Sequence, residues 1–273
     1  MIRALLAVSL TLVFALPLRA GDVDIQEVTS PGGINAWLVE ERSIPFAAIE
    51  IIVKGGHSLD PPDKRGAINL MTGLIEEGAG DLDAQTFAAA RDALAASFSF
   101  DSTRDELSIS ARFLTENRDE AIALLREAII NPRFDQAAID RVRAQVLTGI
   151  RSDALDPDEV AGRAFADLSF ADTHPYGHDT EGTLESVSAL TRDDIVEAHR
   201  NALVKDRLYV GATGDISAEE LGDLLDTLLG DLPESGPALP GPAEVQLTGG
   251  VTVIEFDTPQ SVAVFGHSGI DRD

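Results

Sequence analysis

Metal or acid–base chemistry in this chain has to begin from histidine, because the sequence holds no cysteine and only five histidines. His174 and His178 stand four residues apart, a spacing that puts two imidazoles on one face of a helix. Pro175 and Gly177 lie between them, and proline removes the helix that would align them. The two rings therefore read as structural or surface groups. His57 follows Gly55-Gly56 in a turn and is expected to face solvent. His199 lies in a helical stretch and is expected to pair with a carboxylate. His267 follows Gly266 and precedes Ser268-Gly269, but that run lacks the Gly-x-Ser-x-Gly spacing that presents a nucleophilic serine. Carboxylates are abundant, yet no pair of them is singled out by spacing.

The elements that would position these residues are short strands followed by longer helices. Residues 24–29 and 34–41 read as a hairpin across Ser30-Pro31-Gly32-Gly33. Residues 48–53 are rich in β-branched side chains and predict a third strand. A helix is expected over 64–77, closed by Gly78. Asp83 can cap a helix over 84–94. Strands follow at 97–101 and 106–113, the second alternating Leu107, Ile109 and Ala111 against Ser108, Ser110 and Arg112. Helices are expected over 116–130, ended by Asn131-Pro132, and from 136 to about 155, capped by Asp135. Asp156-Pro157 opens another. A helix from Thr191 to Ala202, a strand over 207–212 and a helix over 217–229 complete the series, the last with Ser217 and Glu220 in capping-box positions.

Residues 232–244 hold four prolines and two glycines and read as a linker. Two further strands are expected at 251–256 and 261–266. Two strands cannot bury a core by themselves. The expected organisation is thus a first domain over 21–231, the linker, and the start of a truncated second domain over 245–273.

Composition narrows the function. An apolar fraction of 44% supports a packed core, and a net charge of −26 argues against nucleic acid and anionic membranes, whose phosphates need Lys and Arg. Residues 1–20 have the layout of a signal peptide: Arg3, an apolar run from Ala4 to Leu16, and a small-residue exit at Leu18-Arg19-Ala20. The run is too short for a membrane span. A periplasmic or secreted protein cleaved near Ala20 is expected, with no stable membrane anchor. Lacking disulfides, it stands on its core alone.

Several segments, in order, carry a resemblance. Gly55-Gly56 through Asp60-Pro61-Pro62 to Gly66 joins a strand to a helix. Asn131-Pro132-Arg133-Phe134 breaks a helix. His174-Pro175-Tyr176-Gly177 precedes Gly182-Thr183-Leu184-Glu185, and Gly211-Ala212-Thr213-Gly214-Asp215 ends a strand. Together they resemble the M16 peptidases, the insulinase or pitrilysin family. The resemblance implies an α+β fold in which an antiparallel sheet is covered by helices as a two-layer sandwich, of the LuxS/MPP-like metallohydrolase type. It also implies a zinc site, with an inverted His-x-x-Glu-His motif on the helix after Gly66. The five matching positions here read Asn69-Leu70-Met71-Thr72-Gly73. The family's third ligand, a glutamate further along, falls at Thr148-Gly149. A zinc hydrolase needs imidazole or carboxylate donors and a base for the bound water. Asn69, Thr72, Gly73 and Gly149 supply neither, so no metal ligand, catalytic residue or cofactor is expected, the family's zinc included.

Members without the motif commonly pair with a subunit that keeps it. The resemblance therefore implies a non-catalytic subunit that helps bind a peptide substrate in a heterodimer with a zinc-bearing M16 partner. A stand-alone periplasmic peptide-binding pseudoenzyme and an active zinc metalloendopeptidase are the alternatives. Ser97-Phe98-Ser99-Phe100 occupies the place of the family's edge strand, which receives an extended peptide. The competing reading is an ordinary strand with Phe98 and Phe100 in the core.

Overall fold

The computed structural model describes residues 23–269; the expected signal peptide at 1–20 lies outside them. The sheet is built by alternation. Strands β1 (Gln26–Thr29) and β2 (Asn35–Glu40) form the expected hairpin, its turn closed by the Ser30 hydroxyl accepting from the Ile34 amide at 2.9 Å. Strand β3 (Phe46–Lys54) leads into helix α1 (Ala67–Thr72). A two-residue hairpin, β4 (Gly78–Ala79) and β5 (Leu82–Asp83), precedes α2 (Ala84–Ala93), which Asp83 caps as expected. Strands β6 (Ser97–Ser102) and β7 (Glu106–Leu114) follow. Then come helices α3 (Arg118–Ile130), α4 (Gln136–Asp153), α5 (Pro157–Ser169), α6 (Leu184–Ala189) and α7 (Arg192–Ala202). Strand β8 (Leu208–Gly214) and helix α8 (Ala218–Leu229) close the series.

The main sheet has the order β1-β2-β8-β3-β7-β6. Every pairing is antiparallel except β2 with β8, because β8 returns from a distant part of the chain and inserts between β2 and β3. One face is apolar: Leu38 on β2, Val210 and Ala212 on β8, Ala47, Ile49, Ile51 and Val53 on β3, and Leu107, Ile109 and Phe113 on β7 are all buried. The other face carries Trp37, Tyr209, Glu50 and Ser110 toward solvent. Helices cover only the apolar face. Helix α3 contributes Leu125, Ala128 and Ile129, and α8 contributes Leu221, Leu225, Leu228 and Leu229. Burying each such side chain is worth about 1.5–3 kcal/mol. The result is the two-layer α+β architecture expected from the sequence.

Three local expectations are corrected. The helix expected over 64–77 is confined to Ala67–Thr72. It cannot start earlier because Gly66 sits at φ 86°, outside the helical region. Beyond Gly73, the Leu74 and Ile75 amides bond to Met71 and Thr72 carbonyls three residues back, and both side chains turn into the core. Asp135 precedes α4 but makes no capping bond; its carboxylate instead accepts from Arg133 at 2.8 Å. The strands expected at 251–256 and 261–266 are not formed among the described residues. A strand exists only by pairing, and neither segment meets a partner edge. Val251, Val253 and Phe265 are 91%, 77% and 92% exposed. The contiguous buried cluster runs from Val28 to Leu232.

Residues 233–234 still serve that cluster, since the carbonyls of Pro233 and Glu234 accept from Lys205 and Asp206 amides. A chain ending at Ser235 keeps these bonds. It should unfold in one transition within about 4 °C of the full chain, the shift that about 1 kcal/mol produces at this size. A distinctly lower melting temperature in calorimetry would show that 236–269 contributes to the same cooperative unit.

Candidate functional site

The site is assembled where β3 turns into α1. The Asp60 carboxylate reaches over the turn and accepts from the Gly66 amide at 2.8 Å and the Ile68 amide at 3.0 Å. It thereby satisfies donors that the first turn of α1 cannot satisfy itself. Burial pushes Asp60 up to about 7, against the opposing pull of these backbone donors. Gly66 is required twice over: by its positive φ, and because a Cβ there would come within 2.4 Å of the Glu181 carbonyl oxygen.

Along α1, Leu70 and Met71 are fully buried. Thr72 is also buried, and its hydroxyl donates to the Ile68 carbonyl at 2.8 Å, one turn back. Asn69 is half-buried, and Gly73 is exposed. A Cβ on Gly73 would meet Val142 Cγ1 of α4 at 3.2 Å. Helix α4 packs on α1 and carries Gly149, the downstream position. Sequence reading missed Glu181, whose carboxylate lies 3.7 Å from where a Gly149 Cβ would be. It arrives from the loop before α6, a tertiary approach that leaves no spacing signal. Burial, with Asp153, Asp179 and Glu159 nearby, raises its pKa.

This donor set does not fit zinc. The metal needs three or four N, S or carboxylate ligands at about 2.0–2.3 Å. Here the Thr72 hydroxyl is committed to the backbone, Gly73 and Gly149 have no side chain, and Asn69 offers a neutral amide. Among the described residues, no group of three or more His, Cys, Asp or Glu is placed to hold a metal ion.

The histidines are spent elsewhere. His57, expected in solvent, is only 8% exposed, with Nε2 2.7 Å from Ser102 Oγ. The turn that carries it is zipped to the β6–β7 turn, which draws it inward: the His57 and Ser58 amides donate to the Thr103 and Arg104 carbonyls. His199 pairs with the Ile129 carbonyl at 2.8 Å rather than with a carboxylate, because α7 lies over the end of α3; burial lowers its pKa. His174 Nε2 is 3.1 Å from the Gly241 carbonyl, and His178 lies against Arg65 and the Asp172 carbonyl. Neither faces the other as a metal pair. His267 is exposed.

Strand β6 is the last strand of the sheet and pairs only with β7. Its outer edge is unpaired among the described residues, and α1 packs beside it. Phe98 is buried and Phe100 packs on the core, whereas Ser97 and Ser99 are exposed. The aromatics fix the strand to the core, while its outer backbone edge has no strand partner among the described residues.

Comparison with known proteins bears on the family and the fold. The family profile described as insulinase (peptidase family M16) matches residues 37–167, and that of the peptidase M16 inactive domain matches 189–272. A relative from Helicobacter pylori named "Non-peptidase homolog YmxG" is 28% identical over 95% of this chain and 60% of its own length. "Uncharacterized zinc protease ML0855" of Mycobacterium leprae is 24% identical over 74% of this chain and 45% of its own. A crystal structure of a peptidase M16 inactive domain from Pseudomonas fluorescens superposes with TM-score 0.74 at 23% identity, covering 81% of this chain and 53% of that one. The chain spans about half the length of the curated relatives it matches.

Asp60 offers a direct check on the turn. Its folded pKa lies above the ordinary carboxylate value, so the folded state holds the proton more tightly and stability falls as pH rises between the two. Asp60→Asn removes this titration. In urea denaturation, the stability of the natural chain relative to the variant should fall from about pH 4 to about pH 7. The opposite trend would mean that the backbone donors outweigh burial.

Proposed function

The chain belongs to the M16 family of peptidases, and we propose that it is a non-catalytic subunit that helps hold an extended peptide beside a zinc-bearing M16 partner. The observation that carries this reading is the state of α1. Of its motif positions, Leu70 and Met71 are in the core, Thr72 bonds to the helix backbone, Gly73 has no side chain and Asn69 offers a half-buried neutral amide, while the adjacent edge strand β6 is open. The chain itself is proposed to hold no zinc. A peptide laid along Ser97-Phe98-Ser99-Phe100 would draw its affinity from main-chain hydrogen bonds, which tolerate many sequences. The relative named a non-peptidase homolog supports the absence of chemistry. The leader-like residues 1–20 support a periplasmic setting, in which a partner carrying His-x-x-Glu-His would supply the metal and the base.

Co-expression with a motif-bearing M16 relative should yield a complex stable through size-exclusion chromatography. Within that complex, amides of 97–102 that face outward should gain protection from hydrogen exchange when peptide is added. The Phe100 amide faces the open edge, because Phe100 and Ile109 form a pair that exchanges no ladder bonds; Phe100→Pro should therefore lower kcat/KM of the complex about tenfold relative to Phe100→Ala, which keeps that amide. Unchanged exchange along β6, or unchanged turnover in a folded variant, would exclude strand addition.

A further inference from the structure

A second feature lies at the far end of β6. The turn after β3, the β6–β7 turn and the loop from Asp172 to Thr180 line a partly open cavity of about 260 Å³. At about 30 Å³ of liquid volume per water, it has room for several waters or a small anion. Arg65 and Arg104 both line it. Arg104 Nη1 donates to the Tyr176 carbonyl at 2.9 Å and its guanidinium lies over the Tyr176 ring, while Arg65 Nη2 sits 2.5 Å from His178 Nε2. Neither guanidinium pairs with a carboxylate among the described residues. That is notable in a chain with 47 acidic and 21 basic residues.

His57 forms part of the cavity wall. It is more than nine-tenths buried, it lines the cavity, and its Nδ1 has no hydrogen-bond partner. Its Nε2 faces Ser102 Oγ at 2.7 Å. When that hydroxyl donates to Nε2, the ring proton is placed on Nδ1. The Thr180 backbone lies close enough to favour a protonated ring without completing a bond of good geometry. Burial, reinforced by the nearby Arg104 charge, brings His57 down to about 4, so the ring is neutral at pH 7. The Nδ1 nitrogen is itself closed off from solvent, so the ring flanks the two guanidinium groups without offering Nδ1 to what the cavity holds.

The carboxylates that also line the cavity are engaged or exposed. Asp60 holds the Gly66 and Ile68 amides, Asp179 is held by Arg163 at 2.7 Å, and Asp172 is exposed. The overall negative charge opposes an anion at long range, but screening over about 8 Å at physiological ionic strength leaves the local guanidinium pair to decide. We propose that this cavity is a binding site for an oxyanion, a carboxylate or a phosphate group, received by the guanidinium groups of Arg65 and Arg104. Guanidinium suits both groups because its planar fork matches two oxygens at once.

The test is a titration of the whole chain with inorganic phosphate, acetate and a short acidic peptide at constant ionic strength, followed by ¹H–¹⁵N NMR of the His57 ring. Saturable shifts of the His57 ring signals are expected, with the His57 pKa rising as negative charge enters the cavity. Arg65→Gln and Arg104→Gln should each weaken binding about tenfold. Arg65→Lys keeps the charge without the fork and should fall between. Arg112→Gln, on the solvent face of the sheet, should bind as the natural chain does. Tightest binding by phosphate assigns a phosphate-bearing ligand, and tightest binding by the peptide assigns a carboxylate; either supports the site. Shifts that track ionic strength alone, or folded Arg65→Gln and Arg104→Gln chains that bind unchanged, overturn it.

Discussion

Strand β3 is hydrogen-bonded to β7 along its whole length and to β8 along most of it, and its strict alternation divides the molecule. Ala47, Ile49, Ile51 and Val53 face the helices, whereas Glu50 and Lys54 face solvent. A slip of one residue would invert every side chain. The register therefore decides where β3 ends, where the turn through Asp60 begins, and how α1 enters the core. It also leaves β6 on the outside, because β7 occupies one side of β3 and the returning β8 the other.

The same packing turns most of the motif positions of α1 to structural use. An imidazole or carboxylate at a buried helix position is costly unless it is paired or bound to a metal. The residues present avoid that cost. Thr72 satisfies its hydroxyl within α1, Leu70 and Met71 join the core, and Gly73 leaves room for Val142 of α4. Helix α1 is held at its start by Asp60 and at its end by the inward turn of Leu74 and Ile75. None of these contacts requires zinc. The part that binding can still use is the backbone edge of β6, anchored by Phe98 and Phe100.

What was legible in the sequence was local. The Ser30–Gly33 turn, the alternation of β7, the Asp83 cap and the Ser217–Glu220 capping box are written in adjacent residues, and the structure contains each of them. The composition of the motif positions, and hence their lack of zinc donors, was equally plain. What depended on distant parts of the chain was not. The parallel insertion of β8, the burial of His57 by the β6–β7 turn, the carbonyl partner of His199 and the approach of Glu181 to Gly149 all come from tertiary packing. The apolar runs at 251–256 and 261–266 looked like strands because β-branched residues suit a sheet, but propensity without a paired neighbour does not make one.

Zinc content tests the account most directly. Elemental analysis should be made on the purified chain and on its complex with a motif-bearing M16 relative. The account predicts well under about 0.1 zinc per chain alone, and one zinc per complex that is lost when the partner's motif histidines are replaced. Near-stoichiometric zinc on the chain alone, with proteolysis that a chelator abolishes, would contradict it.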